Sequence, residues 1–264
     1  MTMSMHSGVA ASNGVKAALL AGQGFTADAQ VFDGARSFGH IFSQEWSEEA
    51  LSADLPRWGA PWMMVSPGAT FKLFPCGRPT LFGVDAAMAL QARHGLRAEE
   101  VRRIVCEVSY MYPRTLIHAR PANGLQGKTS LEYCIAAALV DGRPGLASFS
   151  DAAVQRPLLR RLVECTEVRV PPELSEDVPQ VRKAPFEQPV TVMIELQDGR
   201  RVQETVRHHK GTPGNPASDA DLRGKFADCA GPHLGAERVQ AILAAIDGGG
   251  TGVRALMDLL PVRG

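Results

Sequence analysis

Four residues stand out for the chemistry their types and surroundings permit. Lys72 lies between Phe71 and Leu73-Phe74-Pro75. On an extended backbone its ammonium points away from the adjacent Phe71. A lysine in an apolar setting can bind an anionic substrate or, with a lowered pKa, act as a base. The same pattern fits a partly exposed lysine on an edge strand. Arg78 precedes Pro79 and the start of a helix. A guanidinium beside a helix N-terminus is a natural carboxylate site, and an exposed turn arginine is the alternative. Tyr133 sits on an apolar helix between Glu132 and Cys134. It reads either as a proton donor or as a core tyrosine with a satisfied hydroxyl. His6, ahead of Ser7-Gly8 and the first helix, can exchange a proton near neutral pH or simply stand in solvent.

No generic motif decides between these readings. The sequence has no P-loop, no GxGxxG after a strand, no HExxH and no GxSxG. Gly248-Gly249-Gly250 reads as a linker between helices, since no strand precedes it. His208-His209 are adjacent, so a strand sends them to opposite faces; they read as a solvated strand end. The five cysteines, Cys76, Cys106, Cys134, Cys165 and Cys229, are widely spaced and form no CxxC pair. That is the pattern of reduced, mostly buried thiols rather than of a disulfide framework or zinc site. No metal and no cofactor is therefore expected.

Charge narrows the partners. Lys and Arg number 28, and so do Asp and Glu. A net charge of zero argues against a nucleic-acid binder and against long-range steering of an ionic partner. No uninterrupted apolar window of about 18 residues predicts a membrane span. The first residues lack a basic region followed by an apolar core, so a cytoplasmic protein is expected. At 45% hydrophobic residues the 264-residue chain can bury a core. At ~150 residues per domain, the length allows one large domain or two ordinary ones.

The elements that must position the candidate residues follow from periodicity and punctuation. Val9–Gly22 predicts a small-residue helix; Phe25–Asp28 predicts the start of a second, capped by Thr26, and Ser47–Leu51 another. Ala69–Gly77 predicts a short extended run, and Leu81–Arg93 an amphipathic helix ended by His94-Gly95. Ile104–Tyr110 predicts a strand, Ser130–Val140 a buried helix, Asp151–Val163 a further helix and Thr166–Val170 a strand. Pro189–Gln197 and Arg201–Val206 flank Asp198-Gly199, the strongest hairpin signal in the chain. Helices are predicted over Asp219–Cys229, Ala236–Ile246 and Gly252–Leu260. The order is helical, then mixed, then helical. It predicts an α+β protein in which a discontinuous helical domain (1–65 and 213–264) carries an inserted, smaller α+β domain (66–212).

The candidate residues fall within a larger pattern. His6-Ser7-Gly8 with the following helix and Gly24-Phe25-Thr26 resembles the MmgE/PrpD family. So do Phe71–Thr80 with Asp85-Ala86-Ala87, and Lys128–Tyr133. The loop Gly211–Pro216 and Lys225-Phe226 are similar to the family's closing segment. The resemblance covers nearly the whole chain. It implies a large helical domain plus a smaller α+β lid, with the active site between them, and a dimer. It also implies a lyase or isomerase acting on a small di- or tricarboxylic acid, in the manner of 2-methylcitrate dehydratase. Lys72 resembles the lysine of the family's K-x-x-P segment, Tyr133 the tyrosine of its S-x-x-Y helix, and His6 the histidine of its H-x-G helix. On that likeness Tyr133, His6 and Lys72 are the catalytic candidates, and Lys72, Arg78 and Lys128 bind the substrate carboxylates.

Three departures bear on activity. Met3 stands where family members often carry a lysine, and Cys76-Gly77-Arg78 where some have a histidine. The resemblance also begins inside the family pattern, without its N-terminal helical portion. Two readings follow. In one the chain is a self-sufficient lyase. In the other it is a non-catalytic or split member whose pocket is completed by a complementing chain or by homodimerisation.

Overall fold

A computed structural model describes residues 2–32, 34, 36–43, 46–47, 49, 52–53, 55–249 and 252–260; of these, residues 2–4 are described by backbone only. The chain divides into two compact units, Met1–Ser66 and Pro67–Gly264. Together they combine helix and sheet in an α+β protein, as expected. Among the described residues no helix is long and apolar enough to cross a membrane.

The first unit is dominated by α1 (Thr2–Gly22). The helix begins earlier than its apolar residues indicate, so His6 lies inside it rather than ahead of it. The helix expected at Phe25–Asp28 does not form. Residues 25–28 are irregular and run into turns, because the Asp28 carboxylate accepts the Gln30 backbone N–H at 2.9 Å. This local bond competes with a helical start. The helix start expected at Ser47–Leu51 falls largely outside the described residues.

The second unit is a four-stranded sheet with helices packed on one face. Its strands are β1 (Val101–Glu107), β2 (Thr166–Arg169), β3 (Val190–Leu196) and β4 (Arg201–Val206), in the order β2-β1-β3-β4. β1 and β2 are parallel; β1–β3 and β3–β4 are antiparallel, with Ile104 opposite Ile194 and Val190 opposite Val206. Alternation along β3 sends Val190, Val192, Ile194 and Leu196 into the core. Against that face pack α2 (Thr80–His94), α3 (Leu131–Asp141) and α4 (Pro157–Glu164). α3 is buried on every side from Leu131 to Leu139, so it is the central helix. Ser130 caps it, accepting the Tyr133 N–H at 3.1 Å. α5 (Asp219–Leu234) and α6 (Ala236–Asp247) close the unit.

Three boundaries differ from the sequence reading, each for a local reason. β1 ends at Glu107 rather than Tyr110, because Ser109 and Tyr110 lead directly into the short helix Met111–Thr115. The helix expected over Asp151–Val163 is two, Asp151–Val154 and α4, since Pro157 has no N–H to continue the first. The run at Ala69–Gly77 joins no ladder of the sheet, so Lys72 is not an edge-strand lysine.

Candidate active site

The segment carrying Lys72 and Arg78 is held at three points. At its start, the Phe71 N–H donates to the Gly211 carbonyl at 2.8 Å. Gly211 has φ +96°, and a Cβ there would run into the Phe71 carbonyl, so only glycine closes this contact. In the middle, the Gly77 N–H donates to the Lys128 carbonyl at 2.7 Å. At its end, the Thr80 hydroxyl donates to the Gly77 carbonyl at 2.8 Å and opens α2. Asp85, one and a half turns into α2, accepts the Lys210 N–H at 2.5 Å and ties down the other side of the Gly211 loop. Burial pushes its carboxyl above the usual range.

Lys72 and Arg78 thus lie on one loop that leads into a 15-residue helix, and the loop's backbone is tied at Gly77 to Lys128. Lys72 is exposed. Its charge acts on Cys76, whose thiol is lowered by hydrogen bonds with Cys134 and Thr80 and by the Lys72 ammonium. Arg78 is paired with Glu187 at 3.0 Å, and both side chains are largely in solvent. Such a pair contributes little to stability, so an incoming carboxylate can exchange with Glu187 at small cost.

Tyr133 belongs to the same corner but faces inward. Its ring lies against Gly127, the neighbour of Lys128, and edge-on to Phe149 at 5.8 Å between ring centres. Its hydroxyl donates to the Ser148 carbonyl at 2.5 Å, and the side chain is fully buried. Near it, Arg156 forks onto Asp141 at 2.7 and 2.8 Å, and its charge opposes the rise in the tyrosine's pKa. Sequence reasoning missed this Asp141–Arg156 pair near Tyr133. The only available signal was Asp141 at a helix end and Arg156 before a helix-breaking proline.

Burial raises Tyr133 from 10.0 to about 12, opposed by Arg156. The folded chain thus keeps a proton that the unfolded chain loses, in the window between those two values. Stability from this group is complete below pH 10 and falls away as pH rises towards about 12. Urea unfolding at stepped alkaline pH is expected to show a shallower decline for Tyr133→Phe than for the unaltered chain. Identical slopes would remove this role.

Two further sequence readings need correction or extension. His209 is not at a solvated strand end: it is fully buried, edge-on to Phe82 at 5.0 Å between ring centres, with Nδ1 3.0 Å from the Lys210 carbonyl. The loop turns inward after β4, which the adjacent-histidine argument did not foresee. Glu132, beside Tyr133, is buried, and burial raises its carboxyl; its Oε2 accepts the Ser130 hydroxyl at 3.3 Å. His6 is exposed on α1 in the first unit, whereas Lys72, Arg78, Lys128 and Tyr133 lie in the second.

The MmgE/PrpD C-terminal domain matches residues 74–247, about two thirds of the sequence. The chain belongs to the MmgE/PrpD family. The match begins two residues after Lys72 and takes in the Gly77–Lys128 clamp, α3 with Tyr133 and the Gly211 loop. Similar curated proteins include the cis-aconitate decarboxylases of Mus musculus and Homo sapiens. These are 26% identical over 252 and 250 residues, covering 93% of this chain and 49% of each relative. A cis-aconitate decarboxylase-like protein, oryM, of Aspergillus oryzae is 26% identical over 255 residues, covering 88% of this chain and 49% of its own length. The chain spans about half the length of the curated relatives it matches.

Proposed function

We propose that this MmgE/PrpD chain takes part in lyase chemistry on a small di- or tricarboxylic acid, by proton abstraction and elimination as in 2-methylcitrate dehydratase. The observation that supports the reading is the Gly77–Lys128 backbone bond, which ties the loop carrying Lys72 and Arg78 to Lys128. Cationic side chains on a loop that leads into a helix N-terminus suit a substrate with several carboxylates. In the elimination, a base takes a carbon-bound proton next to a carboxylate, the C=C bond forms, and the hydroxyl leaves with a proton as water. Lys72 and His6 are the candidates for base. Tyr133, kept protonated by burial, is the candidate acid, and a substrate must draw its hydroxyl away from Ser148. The cations stabilise the charge that builds on the carboxylate as the proton leaves. The relatives' printed activity makes cis-aconitate a second substrate to test. In this proposal residues 66–212 act as a lid on a discontinuous helical domain of a cytoplasmic homodimer.

A specific observation favours a second reading. The first unit exposes Trp58, Trp62, Met63 and Met64, each at least 67% in solvent. Exposed apolar surface of this kind marks an interaction face. It fits a non-catalytic or split chain that needs a partner chain or a second copy to complete its pocket.

Turnover separates the two. The purified chain is incubated with 2-methylcitrate and, separately, cis-aconitate, and products are followed by proton NMR. The first reading expects an unsaturated or decarboxylated acid, its formation lost in Tyr133→Phe. Product only at chain concentrations where light scattering finds an oligomer supports completion by a second copy. No product at any concentration leaves the self-sufficient lyase without support.

A further inference from the structure

His209 stands, fully buried, at the foot of the loop that closes on the Lys72 segment. Its ring packs edge-on to Phe82 of α2, and Nδ1 lies 3.0 Å from the Lys210 carbonyl. Nε2 is buried and, among the described residues, has no hydrogen-bond partner. A neutral ring suits this setting: the Nδ1 N–H donates to the carbonyl, and Nε2 is a bare lone pair. The loop is built on this residue. The His209 carbonyl accepts the Thr212 hydroxyl at 2.9 Å, and the Gly211 N–H donates to the Asn215 carbonyl at 2.8 Å. The Gly211 carbonyl in turn accepts the Phe71 N–H, and Asp85 accepts the Lys210 N–H.

A second proton on the ring changes the balance. Nε2 then carries an N–H without an acceptor, and a full charge sits in a buried site. Burial holds the imidazole below its ordinary 6.5; the Lys210 carbonyl, Asp85 of α2 and Glu187 favour the cation without outweighing it, and Arg78 of the Lys72 loop opposes it. The unfolded chain therefore takes up this proton first as pH falls. Stability from the neutral ring is complete above 6.5 and falls away towards the lower folded value. Asp85 acts in the opposite sense: burial raises its carboxyl, so proton uptake there favours the folded chain.

We propose that His209 is an acid-released latch on the Lys72 loop. Neutral, its ring seats residues 209–215 and, through Gly211, holds Phe71. Protonated, it leaves its site, and the Phe71–Gly211 bond opens while the sheet stays folded. The latch stands whether or not the chain turns over a substrate. Amide exchange and histidine resonances, read by NMR on the full chain between about pH 7.5 and about pH 5, test it. After correction for the intrinsic pH dependence of exchange, protection of the Phe71 N–H is expected to fall about tenfold or more, one pKa unit being a tenfold change. The Ile104 N–H of β1, bonded to the Cys165 carbonyl at 3.0 Å, reports the sheet and is expected to keep its protection. The His209 ring is expected to titrate below 6.5, at the same midpoint as the Phe71 loss. His209→Asn keeps a donor near the Nδ1 position and takes no charge, so its Phe71 protection is expected to stay level with pH. Constant Phe71 protection in the unaltered chain, loss of Ile104 protection in step with it, a ring midpoint at or above 6.5, or an equal fall in His209→Asn would each overturn the proposal. The first three readings need no variant, so a folding defect in His209→Asn leaves the test standing.

Discussion

Gly124→Ala is expected to destabilise the second unit by about 3–5 kcal/mol, which lowers its melting temperature by roughly 6–20 °C. Gly124 is buried at the start of the helical turn Gly124–Gly127, and a Cβ there would be driven into the Phe149 carbonyl. The atoms it meets, in Phe149 and Ser150, are all backbone, so no flexible side chain can yield. The turn is otherwise well tied. The Asn123 side chain accepts the Gln126 N–H at 3.0 Å, and the Gly124 N–H donates to Asp151 at 2.8 Å. The substitution must therefore break those bonds or displace Phe149, which packs on Tyr133. It also moves Lys128, the residue that follows the Gly124–Gly127 turn, and with it the carbonyl that anchors Gly77. Thermal melting should be followed by circular dichroism, since all three tryptophans, Trp46, Trp58 and Trp62, lie in the first unit. A melting temperature within a degree or two of the unaltered chain would contradict the packing of this corner.

The second large effect falls on activity rather than stability. Lys72→Ala is expected to lower kcat/KM for a tricarboxylate by about 10²–10³-fold, the range for removing one preorganised charged donor. Stability should change by no more than about 0.5 kcal/mol, because the side chain is exposed and off the sheet. Lys72→Arg keeps the charge and should retain carboxylate binding, but a guanidinium does not give up its proton. A loss of kcat with an unchanged KM in Lys72→Arg would mark Lys72 as the base. A loss confined to KM in Lys72→Ala would mark it as a carboxylate holder only. Unaltered kinetics in Lys72→Ala would remove it from the reaction.

What the sequence discloses of this fold is what short-range chemistry controls. Asp198-Gly199 between two alternating runs fixes the β3–β4 hairpin, and Gly199 takes φ +86° there. Ser130 before an apolar run marks the start of α3, and Gly95 the end of α2. What it conceals depends on distant partners. β1 stops at Glu107 because the chain then turns into a helix, although Val108 and Tyr110 have strand character. Thr26 has the chemistry of a helix cap but loses to the Asp28–Gln30 bond. Nothing local shows that His209 will be buried beside Phe82, 127 residues earlier in the chain.

The site divides in the same way. Lys72, Arg78 and Tyr133 were legible as types of residue in suggestive settings, and resemblance to the family set them together. The Gly77–Lys128 bond that joins them is a backbone contact between segments 51 residues apart, and no pattern announces it. Nor does any pattern announce that Arg78 answers Glu187, or that Asp141 and Arg156 pair with each other near Tyr133. The inward turn of the Tyr133 hydroxyl is the most consequential of these. It makes Tyr133 a core residue with a satisfied hydroxyl, one of the two sequence readings.

The central claim is that the clamped loop and Lys128 act as one cradle for a carboxylate-rich substrate. It is tested most directly without turnover, by calorimetric titration of tricarballylate into the unaltered chain, Lys72→Ala, Lys128→Ala and the double variant. The cradle predicts saturable binding, weakened in each single variant, with a coupling above about 0.5 kcal/mol between them. Equal affinity in the unaltered chain and the double variant would contradict it.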